Sequence, residues 1–237
     1  FTTRHIRARA IDDGCAVAAC LAAMDRLAAA RFKGTIGFLF TRAEEVGFAG
    51  ALGWVRGARR ASTTTVVNLE MSNALRHTPQ GNGPILRVGD RITTFGREVS
   101  MGLEEVALKL SRRDQQFRYQ RALMDGGACE ATVFAQAGFR TGALCLPLKN
   151  YHNHAPGGRM GLEYVHKSDA ETSCVGSSRT PGPSTVSTRP LASRNGWTRS
   201  GASSACASHA APRRARAAEL SQAGTLVHTG TGIVPDS

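Results

Sequence analysis

The chain has 237 residues, 41% of them hydrophobic, which suits one sizeable domain or one domain followed by a tail. Its 30 Lys and Arg against 18 Asp and Glu give a net charge of +12, but the excess is mostly scattered arginine and only 6% of residues are aromatic, so no nucleic-acid partner is expected. No apolar run approaches the roughly 20 residues that span a bilayer, and no membrane partner is expected either. The six cysteines form no Cys-x-x-Cys pair and several lie in apolar patterns. Buried thiols in a reducing, cytoplasmic compartment are the expectation. The chain opens at Phe1 rather than Met, so its natural start is expected to lie upstream, where any targeting segment would also be.

Taken in order, residues 13–32 read as an Ala-rich helix with Val17, Leu21, Met24 and Leu27 on one buried face. A strand over 35–40 and a helix over 50–61 follow. Residues 65–70 form a second buried strand that ends in Glu70, and 85–88 a short one. A helix over 103–110, a strand over 117–123 and a helix over 127–137 come next. A last strand over 141–146 runs into Pro147, and 163–171 looks like the start of another helix. Strands alternating with helices argue for an α/β domain with a mixed, largely parallel sheet flanked by helices.

From about residue 172 that order stops. Residues 172–237 are rich in Ser, Thr, Arg, Pro, Gly and Ala, with seven Arg and no Lys against two acids, Glu219 and Asp236. Such a composition predicts a low-order tail. Two origins fit: a natural flexible tail, or a coding frame lost near residue 172, since out-of-frame reading of a GC-rich gene produces this vocabulary.

The chemistry gathers at element boundaries. The apolar run over 35–40 delivers Glu44 and Glu45 to the carboxyl end of a strand, where ligands sit in open α/β sheets. Asp12-Asp13, Glu70 and Tyr151-His-Asn-His154 occupy similar boundaries. Each has a plain alternative: a solvated acidic turn for Glu44-Glu45, a helix cap for Asp13, a strand-end acid for Glu70, a loop histidine for His152. Together, carboxylate and imidazole groups at one sheet edge suit zinc-like ions. An acid left uncoordinated would serve as a base toward water.

Four segments carry a family resemblance: Arg9-Ala-Ile-Asp-Asp-Gly-Cys-Ala-Val-Ala18, Phe40-Thr-Arg-Ala-Glu-Glu-Val-Gly-Phe-Ala-Gly-Ala51, Asn68-Leu-Glu70 and Pro147-Leu-Lys-Asn-Tyr-His-Asn153. Over residues 4–171 the chain resembles the co-catalytic zinc aminopeptidases of peptidase clan MH. It is most similar there to the deblocking, or glutamyl, aminopeptidases, whose large assemblies are often tetrahedral. The resemblance implies a zinc-exopeptidase-like three-layer sandwich and two divalent metal ions, zinc with cobalt or manganese as substitutes. It implies peptide substrates cut at the N-terminus and a homo-oligomeric parent. Asp12 resembles the carboxylate shared by both metals, and Asp13 its site-orienting neighbour, which in the clan often follows a cis peptide. Glu44 resembles the general base acting on the bridging water. Glu45 and His152 resemble the remaining ligands of one metal, and Glu70 the terminal carboxylate of the other. Asp125 resembles a supporting acid near the site, and His154 is an alternative imidazole.

The departures are as informative. The family's other imidazole belongs to a His-x-Asp motif well upstream of the Asp-Asp pair, and His5 is too close to Asp12 to replace it. One metal site is expected to be complete and the other to lack its histidine, in a domain incomplete at both ends. The expectation is a two-metal aminopeptidase represented here by an impaired or inactive fragment. Its rivals are an amidohydrolase or carboxypeptidase of the same clan, and a non-catalytic truncated product.

Overall fold

The computed structural model describes residues 2–57, 64–176 and 225–231. In chain order these form β1 (His5–Ala8), α1 (Ile11–Ala29), β2 (Ile36–Arg42), α2 (Ala49–Gly57), β3 (Thr65–Asn73), β4 (Ile85–Arg87), α3 (Arg97–Arg113) and β5 (Gln120–Ala122). After them come α4 (Glu130–Gln136), β6 (Arg140–Lys149), a 3-10 turn (Tyr151–Asn153), β7 (His154–Ala155), β8 (Arg159–Met160), β9 (Glu163–His166), α5 (Lys167–Gly176) and β10 (Thr225–Thr231).

The main sheet runs β1-β9-β6-β3-β10-β2, with β4 beside β6 and β5 beyond β4. Its centre is parallel: β3 pairs with β6 from Thr65↔Arg140 to Asn73↔Leu148, and β10 lies parallel to both β3 and β2. The β1, β9 side is antiparallel, as is the β4–β6 pair. The fold is therefore mixed α/β, with helices on both faces. Alternation along the strands sorts them. Leu69, Met71, Leu146 and Leu148 pack with Ile11 and Ala16 of α1. Val66 points the other way, into Ala51 of α2 and Val133 and Phe134 of α4. Leu144 meets Ala107 and Leu110 of α3.

The core of the α2–α4 face is aromatic. Trp54, Phe134 and Phe139 meet at centroid distances of 5.7 to 6.2 Å, and Phe134 is fully buried. Phe134→Ala should therefore cost about 3–5 kcal/mol. Urea unfolding would show it, and a loss under 1 kcal/mol would mean the cluster is not the keystone of this face.

Several elements differ from the sequence reading. The buried face of α1 is Ala16, Ala19, Cys20, Ala23 and Leu27, while Leu21 is exposed. Small side chains let the helix lie close to the sheet, which the larger Leu21 would prevent. Residues 163–166 are a strand rather than a helix start, because Glu163 and Val165 face inward while Tyr164 and His166 face outward. Its pairing with β1 supplies the antiparallel edge. α3 is longer than 103–110, its first turns being largely polar. The end of the helix foreseen over 50–61 lies outside the described residues. Within the tail region, α5 reaches Gly176, and Thr225–Thr231, a Thr-rich β-forming segment, supplies a strand between β2 and β3. The rest of the tail lies outside the described residues. Cys20, Cys129 and Cys145 are buried, none of them in a disulfide, and Cys15 is half-buried. No described helix is long and apolar enough to cross a membrane.

Candidate metal centre

β2 ends at Arg42, and Ala43, at φ +60°, turns the chain sharply into Glu44 and Glu45. The turn closes on itself: the Glu44 carbonyl accepts the amides of Gly47 (3.1 Å) and Phe48 (3.0 Å), and α2 begins directly after it. Asp12 and Asp13 open α1 and are joined by a cis peptide bond. His152 follows β6 in a turn whose Asn150, His152 and Asn153 all lie in the left-handed region, at φ 52°, 53° and 61°. Its ring stacks on Tyr151 at 4.1 Å and 20°. Tyr151 in turn rests on the core beneath α1, so the imidazole has a floor.

These three segments converge. His152 Nε2 lies 3.4 Å from Glu45 Oε1 and 3.6 Å from Asp12 Oδ2. One donor atom from each residue falls within 4.8 Å of the others, and among the described residues this is the single such group. Glu163 ties the segments together. Its carboxylate accepts the Asp12 amide at 3.0 Å and also takes amides of Ile11 and Asn153. Asn153 Nδ2 donates to the Arg9 carbonyl at 2.8 Å, closing the same link.

The trio suits a divalent cation on a structural ground. Asp12 Oδ2 is buried and accepts no hydrogen bond, though it faces a second carboxylate and an imidazole. A buried carboxylate oxygen without a donor is costly in a protein interior. A cation held by oxygen and nitrogen donors would satisfy it, and carboxylate with imidazole is a zinc-like donor set.

The surroundings are strongly acidic. Burial, then Glu45 and Glu163, push the Asp12 carboxyl up to about 7. Burial, then Glu45, Glu130 and Asp12, push Glu44 up to about 8, with Arg87 pulling the other way. Glu70, on the α4 side of β3, is pushed well up by burial and then by Asp12 and Glu44. Arg87 is the buried cation behind them. It donates to Ser72 Oγ at 3.3 Å and, more loosely, to the carbonyls of Gly89, Met124 and Gly127. Among the described residues, Arg87 is the cation that offsets Glu44 and Glu70, and crowding of the acids favours their protonated forms in a chain that is basic overall.

Of the residues singled out by sequence, the structure gathers Asp12, Glu45 and His152, with Glu44 on the same turn as Glu45. Asp13 is buried beside them. Glu70 stands behind, outside the trio but within electrostatic reach of Asp12 and Glu44. Asp125 is exposed, and His154 is exposed in β7 outside the trio. Sequence reasoning passed over Glu163, Glu130, Arg87 and Tyr151. A signal existed for Glu130, the one charged residue in the run 128–135, and for Glu163, which is followed by the β-forming pair Tyr164-Val165.

Comparison with known proteins gives a family and a fold. The family model described as M42 glutamyl aminopeptidase matches residues 1–171. No curated protein sequence matches the chain. Among solved structures, a TET aminopeptidase of Thaumarchaeota archaeon SCGC AB-539-E09 superposes with a TM-score of 0.60 at 20% identity, over 74% of this chain and 48% of that one. An aminopeptidase of Desulfurococcus kamchatkensis does so at 0.58 and 18%, over 75% and 49%. The TET1 peptidase of Pyrococcus horikoshii, which can assemble into a tetrahedron or a large octahedral shell, gives 0.56 and 22%, over 75% and 50%. At these identities the likeness is one of fold, and the chain spans about half the length of the structures it matches. With the family model matching residues 1–171 of the 237, the chain belongs to the M42 glutamyl aminopeptidase family.

Proposed function

We propose that this chain is part of a metal-dependent aminopeptidase that removes N-terminal residues from peptides, with Asp12, Glu45 and His152 holding one divalent ion and Glu44 as the general base. The observation that carries this reading is the un-donated, buried Asp12 Oδ2 facing Glu45 and His152, inside a chain of this family. When bound, a divalent ion supplies Lewis acidity toward a scissile carbonyl and toward water. The chain's own residues do the rest. Asp12 and Glu70 offer carboxylates to a second ion, so two zinc ions are the full complement, with the tighter one at the trio. Glu44 sits partly buried, and in the metal-free chain burial and the neighbouring acids raise its carboxyl to about 8. Cations held beside it would draw this down toward neutrality, where a group both takes and returns a proton. It would accept a proton from the attacking water and pass it to the leaving amine. Asp13 lies buried at the start of α1 and orients Asp12.

Family relatives described as a tetrahedron-forming peptidase and as a dodecamer support a homo-oligomeric whole protein. The free thiols of Cys20, Cys129 and Cys145 suit a reducing compartment such as the cytoplasm. The test is hydrolysis of a short peptide in two forms, with a free and with an acetylated N-terminus, after addition of Zn2+ or Co2+. Slow, metal-dependent release from the free N-terminus alone is the expected result. Turnover should be weak because the second ion is offered carboxylates without an imidazole among the described residues. Release from the C-terminus, or equal cleavage of the acetylated form, would overturn the aminopeptidase reading in favour of a carboxypeptidase or amidohydrolase.

A further inference from the structure

β2, the strand that delivers Glu44 and Glu45, lies at the end of the sheet, and its hydrogen-bonded neighbour among the described strands is β10. Among the described residues, no main-chain ladder joins it directly to β3 or β6. Asp12 and His152, by contrast, are tied to the β6–β9 side through Glu163. β10 links β2 to β3 by main-chain pairing, but its pairing with β3 stops at Thr229↔Leu69, short of the end of β2, where a side-chain tie adds to it.

Thr41, the next-to-last residue of β2, places its hydroxyl on both carboxylate oxygens of Glu130, at 2.9 and 2.7 Å. Both residues are buried, at 7% and 1% exposure. Glu130 opens α4, whose Val133 and Phe134 pack on Val66 of β3 and on Phe139. The start of α4 is fixed in turn by Asp90, which accepts the Cys129 amide at 3.1 Å and the Thr132 hydroxyl. Glu130 therefore moves with the β3–β6 body. From the other side, the first turn of α2 presses on the same strand end: a Cβ at Gly50 would lie 2.6 Å from the Arg42 carbonyl oxygen and 2.8 Å from Thr41 Cβ. Thr41 is held between α4 and α2, and three residues later the chain reaches Glu44.

We infer that Glu130 is a positioning residue, which through the Thr41 hydroxyl fixes the Glu44–Glu45 turn in register with Asp12 and His152. This rests on the metal-site reading above. Glu130 acts through Thr41 and need not touch the ion. Hydrogen-bond partners that orient ligands govern metal affinity, and Glu130 does so at a further remove, through Thr41 and the turn that follows it.

The experiment is a Co2+ titration of the full chain, followed by visible absorption, alongside hydrogen exchange of the metal-free protein. Thr41→Val keeps the side-chain shape and removes the hydroxyl. It should weaken Co2+ binding by about 10–100-fold and speed amide exchange over residues 43–48, with β6 unchanged. Glu130→Ala should do the same, and Thr41→Ser should restore parental behaviour. A folded Thr41→Val chain with parental affinity and parental exchange overturns the inference, even if Glu130→Ala fails to fold. His152→Ala separates the two readings. If it leaves Co2+ affinity unchanged, the metal-site reading falls, and exchange over 43–48 alone decides the tie. Faster exchange in Thr41→Val then supports it, and unchanged exchange overturns it.

Discussion

If Asp12, Glu45 and His152 hold a divalent ion as proposed, His152→Ala is expected to strip the chain of it. On the proposed reading, the parental protein, loaded with Zn2+ or Co2+ and desalted, should retain about one ion per chain, held by Asp12, Glu45 and His152. Losing a residue that merely supports a ligand costs roughly 10–100-fold in affinity. Losing the imidazole itself should cost at least about 100-fold, enough to empty the site on desalting. The remaining donors, Asp12 and Glu45, are both carboxylates, and the imidazole is the one neutral ligand between them. His154→Ala is the matched control. That side chain is exposed in β7, outside the trio, and its loss should leave the stoichiometry unchanged. Retention of the ion by His152→Ala but not by His154→Ala would reassign the ligand. Retention by both would mean that the site is not built on an imidazole.

Glu44→Gln should separate stability, metal retention and turnover. Burial first, then the neighbouring acids, raises the folded-state carboxyl of Glu44 from 4.5 to about 8. The folded metal-free protein thus prefers the protonated acid. The associated stability is fully present below about pH 4.5 and is lost as pH rises through about 8. Glutamine carries no charge at any pH. The variant should therefore exceed the parent in metal-free stability at pH 8, and the difference should close by about pH 4–5. A tenfold change in proton affinity is worth about 1.4 kcal/mol, and partial solvent exposure discounts the total to about 1–2 kcal/mol. The difference between variant and parent is the useful reading, because Asp12 and Glu70 are raised in the same direction and contribute to both. Urea midpoints at pH 5 and pH 8 measure it, and a gap that is equal at both would remove Glu44 from the acidic cluster. Metal retention should survive, since Glu44 is not among the trio. Peptide hydrolysis should fall by about 10²–10⁴, the usual contribution of a general base.

Much of the site was legible because strand ends punctuate sequence. An apolar run that stops at two carboxylates marks a strand and its ligand-bearing edge at once, and Glu44-Glu45 and Glu70 were visible on that basis. Asp12-Asp13 and the His152 turn were visible as polar groups at other boundaries. The family resemblance assigned roles that composition and spacing left open. The largely parallel character of the sheet was also legible, since strand-like runs alternate with helices; that β3 pairs with β6 was not.

The rest needed three dimensions. Which side of α1 is buried depended on how closely the helix approaches the sheet, and close approach selected Ala16, Ala19 and Ala23 over Leu21. Periodicity alone favours the larger side chains. β9 was hidden because four residues of alternating burial are too short to outweigh a helix-like continuation, and only antiparallel partners on both sides make them a strand. β10 depended on a lane between β2 and β3 that local composition does not reveal.

The ties beneath the ligands follow the same rule. Glu163 lies 151 residues from the Asp12 amide it accepts, and Glu130 lies 89 residues from Thr41. By itself the sequence determined which elements form and which of their ends carry acids and histidine, because these follow from local hydrophobic pattern and residue chemistry. Only the tertiary structure decided which of those ends meet and what holds them there, because that is set by packing and hydrogen bonds between residues far apart in the chain.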